Sequence, residues 1–259
     1  MRFADGFLLL SLVILLAVVS AGILTVIANR AGRRVPSVPP LFWVGAGITA
    51  VLLVAQSVVV DAVEDSTEGA TGGLGALDQP VLDWFVANRT GFWTGVALVL
   101  AAIGGTAAMS LLTLAATVIL WRTDRRDQAV VVALTAAGSG LLVLGFKTLY
   151  RRHRPPPIEQ VVHYAGHSLP SGHTLGSTVV LGVIAAVAYL NLRSASHRHL
   201  VIAGAVVLAF AIGVSRIYLA AHWLTDVLTG WFLGGAWLAA AVTVLAWLRT
   251  LDRSEASRR

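Results

Sequence analysis

The stretch Pro170-Ser171-Gly172-His173 stands directly before a long apolar run, and in four positions it combines a turn, a hydroxyl, a bare backbone and a titratable ring. Ser171 can cap a helix start and Gly172 lets a ligand approach the backbone, so the free N–H groups of the first turn point at any bound anion. His173 stands one residue into that anion site. A second stretch, SRIYLAAHWLTD from Ser215 to Asp226, carries His222 and Asp226 four residues apart. On one helix they share a face, where the carboxylate takes the proton of one ring nitrogen and leaves the other free to attack. That is a nucleophile with its orienting group. Arg216, at the end of the preceding span, can bring a forked guanidinium to the same place. A third stretch, KTLYRRHRPPP from Lys147 to Pro157, puts Lys147, Arg151 and Arg154 on one face if the helix continues through it, a cationic stripe ended by the prolines. Lys147 is the one lysine among 19 basic residues, and an ammonium beside a guanidinium suits phosphate oxygens. Arg151 and Arg152 also fit the role of headgroup anchors.

The elements that must position these groups are membrane helices. Of the 259 residues, 57% are hydrophobic and 12% charged, and the mean hydropathy is +0.79, which excludes an ordinary water-soluble domain. Seven apolar stretches approach the roughly 20 residues that a span requires: Phe7 to Ala28, Leu41 to Val60, Phe92 to Trp121, Ala129 to Phe146, Leu175 to Leu192, Leu200 to Val214 and Val227 to Leu248. The third is long and the sixth short. Such uniform runs fit helices rather than barrel strands, so the expected fold class is all-α, a polytopic membrane helical bundle. Residues 1–40 form an additional first span with its following loop, 41–250 a six-span core, and 251–259 a basic tail.

With no cysteine, the chain offers neither a disulfide nor a thiolate metal site. Its net charge of +6 is spread over loops rather than gathered on one face, so the partner implied is a membrane and not nucleic acid. Placing Asn29 to Pro40, Arg122 to Gln128, Arg193 to His199 and Arg249 to Arg259 inside satisfies the positive-inside rule. The amino terminus and the three motif segments then lie outside, the carboxyl terminus inside, and Glu64, Asp65, Glu68, Asp78 and Asp83 belong to an acidic outer region. Val19-Ser20-Ala21 resembles a signal cleavage site, but cleavage would leave Arg30, Arg33 and Arg34 outside and either reverse the side of every later loop or require one span to be lost, so the first span is expected to be retained. The segment LDQPVLDWFVANR reads as a short interfacial helix, and Gly230 and Gly234 as a close-packing pair.

Lys147 with six residues before Arg154-Pro155, then Pro170-Ser171-Gly172-His173, then Ser215-Arg216 with five residues before His222 and three before Asp226, resembles the type 2 phosphatidic acid phosphatase superfamily. The resemblance extends from about Leu41 to Leu248. It implies hydrolysis of a lipid phosphate or pyrophosphate in two steps, without metal or other cofactor. His222 would be the nucleophile, Asp226 its orienting group and His173 the acid and base. Lys147, Arg154, Ser171, Gly172 and Arg216 would hold the phosphoryl group. Leu169 departs from the pattern, standing where the family often has an aromatic residue. Undecaprenyl pyrophosphate, phosphatidylglycerol phosphate and phosphatidic acid all fit the family as substrates.

Two rival readings have distinct chemistry. A metal hydrolase could draw on His153, His163, His167, His173 and His222, but few carboxylates accompany them and the nearby cations attract an anion instead. A transporter or lipid-binding protein could hold a phosphate headgroup without cleaving it. Such a protein has no need of the His173, His222 and Asp226 set.

Overall fold

The computed structural model describes residues 40–67 and 73–256. Among them are eight α-helices: α1 (Pro40–Thr67), α2 (Asp78–Ala87), α3 (Gly91–Ile103), α4 (Thr106–Arg122), α5 (Arg126–Tyr150), α6 (Gly172–Asn191), α7 (Ala195–Tyr218) and α8 (Leu224–Ala256). A 3-10 turn, Leu74–Leu77, leads into α2. Five of these helices are long and apolar enough to cross a membrane, and α3 and α4, bent by 47° at their junction, meet the same criterion only as a pair. The chain is a multi-pass helical membrane protein. The expected span Phe7 to Ala28 lies outside the described residues.

The surface follows from lipid as the solvent. Leu111, Leu114, Leu134, Leu141, Leu144, Val206 and Phe210 point outward from the spans, where hydrocarbon replaces water and burial inside the protein brings no extra gain. Exposed aromatics mark both ends: Trp84, Phe92 and Trp93 near the start of α3, Trp121 at the end of α4. Helix α8 is central, packed against α1 and α6, while α6 also packs on α7. Small residues allow that closeness. A Cβ on Gly230 would stand 2.8 Å from Thr174 Cβ, and one on Gly234 3.2 Å from the Leu175 carbonyl, so this pair seats α8 directly on the first turns of α6.

The long third stretch is two helices and not one. Gly104 and Gly105 interrupt it, and a Cβ on Gly104 would collide with Ile212 of α7. Lacking that Cβ, the chain turns against α7 and starts α4 in a new direction, with the backbone at Gly105 close to His173: a Cβ there would lie 3.8 Å from the His173 Nε2. The break in α3–α4 is therefore one wall of the region that the motifs form.

Candidate active site

Each motif segment reaches the same end of the bundle from a different helix. Helix α5 stops at Tyr150, and Arg151 takes a left-handed conformation (φ 46°) whose N–H donates to the Lys147 carbonyl at 3.2 Å. The following prolines push the preceding residues to extended backbone. This corrects the expected stripe: Lys147, Arg151 and Arg154 do not share one helix face. Arg151 and His153 are exposed while Arg152 and Arg154 turn inward, the two-residue alternation of an extended chain. Lys147 and Arg154 still converge, because the Lys147 Nζ donates to the His167 carbonyl at 2.9 Å and the Arg154 Nη2 donates to it at 3.3 Å.

Ser171 caps α6, its Oγ accepting from the Thr174 N–H at 3.4 Å and the Thr174 hydroxyl at 2.8 Å. Its own N–H donates to the Asp226 carbonyl at 3.0 Å, tying this helix start to α8. His173 follows within the electrostatic reach of Arg216, His222, Lys147 and Arg154.

His222 lies in the turn between α7 and α8, which corrects the expectation that it shares a helix with Asp226. Ala220 is left-handed (φ 52°), and the N–H groups of Ala221 and His222 fold back to the Arg216 carbonyl at 3.0 and 3.3 Å. Asp226, in the first turn of α8, reaches back so that its Oδ2 accepts from the Trp223 N–H at 3.0 Å, as an acidic residue does in a capping box. The same oxygen lies 3.4 Å from the His222 Nδ1.

The ring's tautomer follows from its other neighbour. The Arg154 Nη1 stands 3.2 Å from the His222 Nε2, and a guanidinium can only donate. Nε2 therefore carries the lone pair and Nδ1 the proton directed at Asp226. Burial pushes the His222 pKa down to about 4, and Arg154 and Arg216 add to the lowering against the pull of Asp226. At neutral pH the ring is uncharged.

Arg216 is fully buried, and its Nε, Nη1 and Nη2 have no hydrogen-bond partner among the described residues. The ring face of Tyr164 lies across it, centroid 4.6 Å from Cζ, and also near Arg154 at 5.6 Å. A buried forked cation with unused donor hydrogens has the chemistry to receive a tetrahedral oxyanion. Among the described residues no three His, Asp or Glu side chains form a metal-binding group. His153 and His163 are exposed, and His167 contributes its carbonyl to the two cations.

Three residues at the site have roles that the sequence reading did not give them. Arg152, taken as a headgroup anchor, is buried between Asp226 (2.7 Å) and Asp78 (2.6 Å). Asp78, taken as part of an acidic outer region, is 5% exposed. Tyr164 had no signal. From the site a cavity of about 610 Å³ extends between α4, α5 and α6, bounded by Gly104, Thr106, Ser139, Gly140, Gly172 and Gly176 among others.

Fold and motifs together define a membrane-embedded helical protein, and the part that carries the motifs is similar to the PAP2 superfamily. Residues 128–250 match the model of the PAP2 superfamily, a stretch that holds every candidate site residue. Over 80 residues it is 40% identical to the phosphatidylglycerophosphatase B of Bacillus subtilis (strain 168), an alignment that covers 30% of this chain and 39% of that relative's length. Its fold is similar to the crystal structure of the transmembrane PAP2-type phosphatidylglycerolphosphate phosphatase from Bacillus subtilis, with a TM-score of 0.67 and 23% identity, covering 80% of this chain and 96% of that one. LpxE of Aquifex aeolicus shares the fold more loosely, with a TM-score of 0.51 and 20% identity over 66% of this chain and 94% of that one.

Proposed function

We propose that the chain is an integral membrane lipid phosphatase that hydrolyses a phosphomonoester or pyrophosphate headgroup through a phosphohistidine, without a metal. The observation that carries this reading is the pairing of a neutral His222, Nε2 lone pair exposed to Arg154, with an Arg216 fork that has no partner of its own. Arg216, Arg154 and Lys147 receive the phosphoryl oxygens, helped by Ser171 and the N–H of Gly172. Charge in phosphoryl transfer spreads over three equatorial oxygens, so fixed cations and N–H dipoles supply most of the catalysis.

In the first step Nε2 of His222 attacks phosphorus, the bond to the lipid oxygen breaks, and His173 donates a proton to that oxygen. Asp226 holds the Nδ1 proton and balances the charge on the ring. In the second, His173 takes a proton from water, the water oxygen displaces Nε2, and inorganic phosphate leaves, the lipid product having departed in the first step. The cavity that begins beside Gly172 lies among membrane helices and supports a substrate whose tail stays in the bilayer. Phosphatidylglycerol phosphate has the support of the relatives' names; undecaprenyl pyrophosphate and phosphatidic acid fit the same chemistry. The basic segments Arg122 to Arg126 and Arg193 to Arg198 join helices at the end away from the site, which supports an extracytoplasmic active site and a cytoplasmic carboxyl terminus.

The test is phosphate release by detergent-purified protein in EDTA from these three lipids, with His222→Ala alongside. Release that persists in EDTA and disappears in the variant is expected. No release from any of them by folded protein would favour a binder or transporter.

A further inference from the structure

Asp226 orients the nucleophile, but its own geometry depends on two residues that the phosphoryl-transfer mechanism does not use. The Arg152 Nη1 donates to the Asp226 Oδ1 at 2.7 Å and to the Thr225 hydroxyl at 2.8 Å, while Nη2 donates to the Asp78 Oδ2 at 2.6 Å. Asp78 in turn accepts from the Thr225 N–H at 2.9 Å through Oδ1 and from its hydroxyl at 2.7 Å through Oδ2. Two carboxylates, one guanidinium and the first turn of α8 thus form a closed circuit. The side chains of Arg152, Asp78 and Asp226 are 9%, 6% and 0% exposed. Asp226 is held at both oxygens: Oδ1 by Arg152 at 2.7 Å and more loosely by the Ser168 hydroxyl at 3.5 Å, Oδ2 by the Trp223 N–H and His222. With Oδ1 fixed, the carboxylate cannot rotate away from the ring.

We propose that Asp78 and Arg152 are positioning residues for the nucleophile, and that the short helix α2 is thereby a working part of the active site. Asp78 opens α2 and lies outside residues 128–250, the stretch that matches the superfamily. The brace reaches His222 from a part of the chain that the three motifs do not include. A single cation between two carboxylates makes the arrangement all-or-none: removing Asp78 leaves Arg152 free to rotate toward Thr225 or Asp226 alone, and removing Arg152 leaves two buried carboxylates facing each other. Among the described residues neither hydrogen-bonds to Arg216, Lys147 or Arg154, so their loss acts on turnover rather than on headgroup binding.

This inference rests on the reading of His222 as nucleophile. The experiment uses full-length Asp78→Asn, Arg152→Lys and Arg152→Met in detergent, measured on the lipid phosphate that turns over fastest. For Asp78→Asn, kcat is expected to fall about 10- to 100-fold and KM to stay within about twofold. Arg152→Lys retains one cation between the carboxylates and should fall between wild type and Arg152→Met. A second readout does not depend on turnover: in [15N]histidine-labelled protein, the His222 ring, assigned by its loss in His222→Ala, should be the Nδ1–H tautomer in wild type and a tautomer mixture in Asp78→Asn. Wild-type kcat together with an unchanged tautomer in Asp78→Asn and Arg152→Met would overturn the proposal, as would a raised KM at constant kcat. Failure of the nucleophile reading shows elsewhere, as full activity in His222→Ala. If Asp78→Asn does not fold, Arg152→Lys alone decides, by the same two readouts.

Discussion

The two sides of the site are finished to different degrees. On the His222 side, the polar atoms of Asp226, Arg152, Thr225 and Asp78 are engaged by one another. On the other side, Arg216 is just as deeply buried, and among the described residues its three nitrogens have no hydrogen-bond partner, with the Tyr164 ring alongside. A buried cation without a partner is costly, and a protein retains one where a ligand completes it. Under the proposed function, the contrast separates a scaffold that is preorganised before substrate arrives from a socket that substrate fills. Arg152 and Arg216 therefore obey opposite rules although both are buried arginines.

The comparison breaks first at His222. His222→Ala should lower kcat about 10⁴-fold or more while leaving the melting temperature near wild type, because the nucleophile has no substitute. Next, Arg216→Met should lower kcat/KM by about 10²–10³, yet match or exceed wild type in thermal stability, since an apolar chain replaces an unpaired buried charge. Orthophosphate should raise the melting temperature of wild type and not of this variant. A melting temperature well below wild type for Arg216→Met would mean that the socket is structural. Arg152→Met should do the reverse, destabilising the protein by about 3–5 kcal/mol by leaving two carboxylates unpaired, as measured by denaturation in detergent.

Acid should reveal the same division more gently. The His222 pKa in the folded protein, about 4, lies below its ordinary 6.5, so between those values the unfolded chain binds more protons than the native one. Stability should fall as the pH drops through that window, and the acid limb of activity should appear as His222 protonates near its lower end. His173→Asn should remove the basic limb and keep the acid one; an unaltered profile would contradict the role of His173 as acid. The smallest effect belongs to Asp83→Asn. Asp83 is exposed and bonded only to Gln79 in the structure, so stability should change by no more than about 0.5 kcal/mol and activity not at all, in contrast to Asp78 five residues earlier.

That pair of aspartates also marks how far sequence could be read. Hydropathy located the apolar helices among the described residues because lipid demands long uniform helices, and motif spacing singled out Lys147, Arg154, His173, Arg216, His222 and Asp226. Composition could not say which acid of the outer region is buried; that depends on where α2 docks on α8. Arg152 was hidden by assuming that α5 continues as a helix. Read as extended chain ahead of Pro155, the residues 152 and 154 share a face, and that alternation was available in the sequence. The break at Gly104-Gly105 had a signal too, since Phe92 to Trp121 is longer than one span requires. Tyr164 had none, because stacking on Arg216 depends on a loop path that no local pattern encodes.

The most direct test of the central claim is acid quench of the enzyme turning over a lipid labelled with ³²P in its terminal phosphate, followed by the stability of any label on the protein. A phosphoenzyme that is labile in acid, stable in base, present in wild type and absent in His222→Ala is the result predicted by a His222 nucleophile. Turnover without labelled protein under single-turnover conditions, or label that persists in His222→Ala, would contradict it.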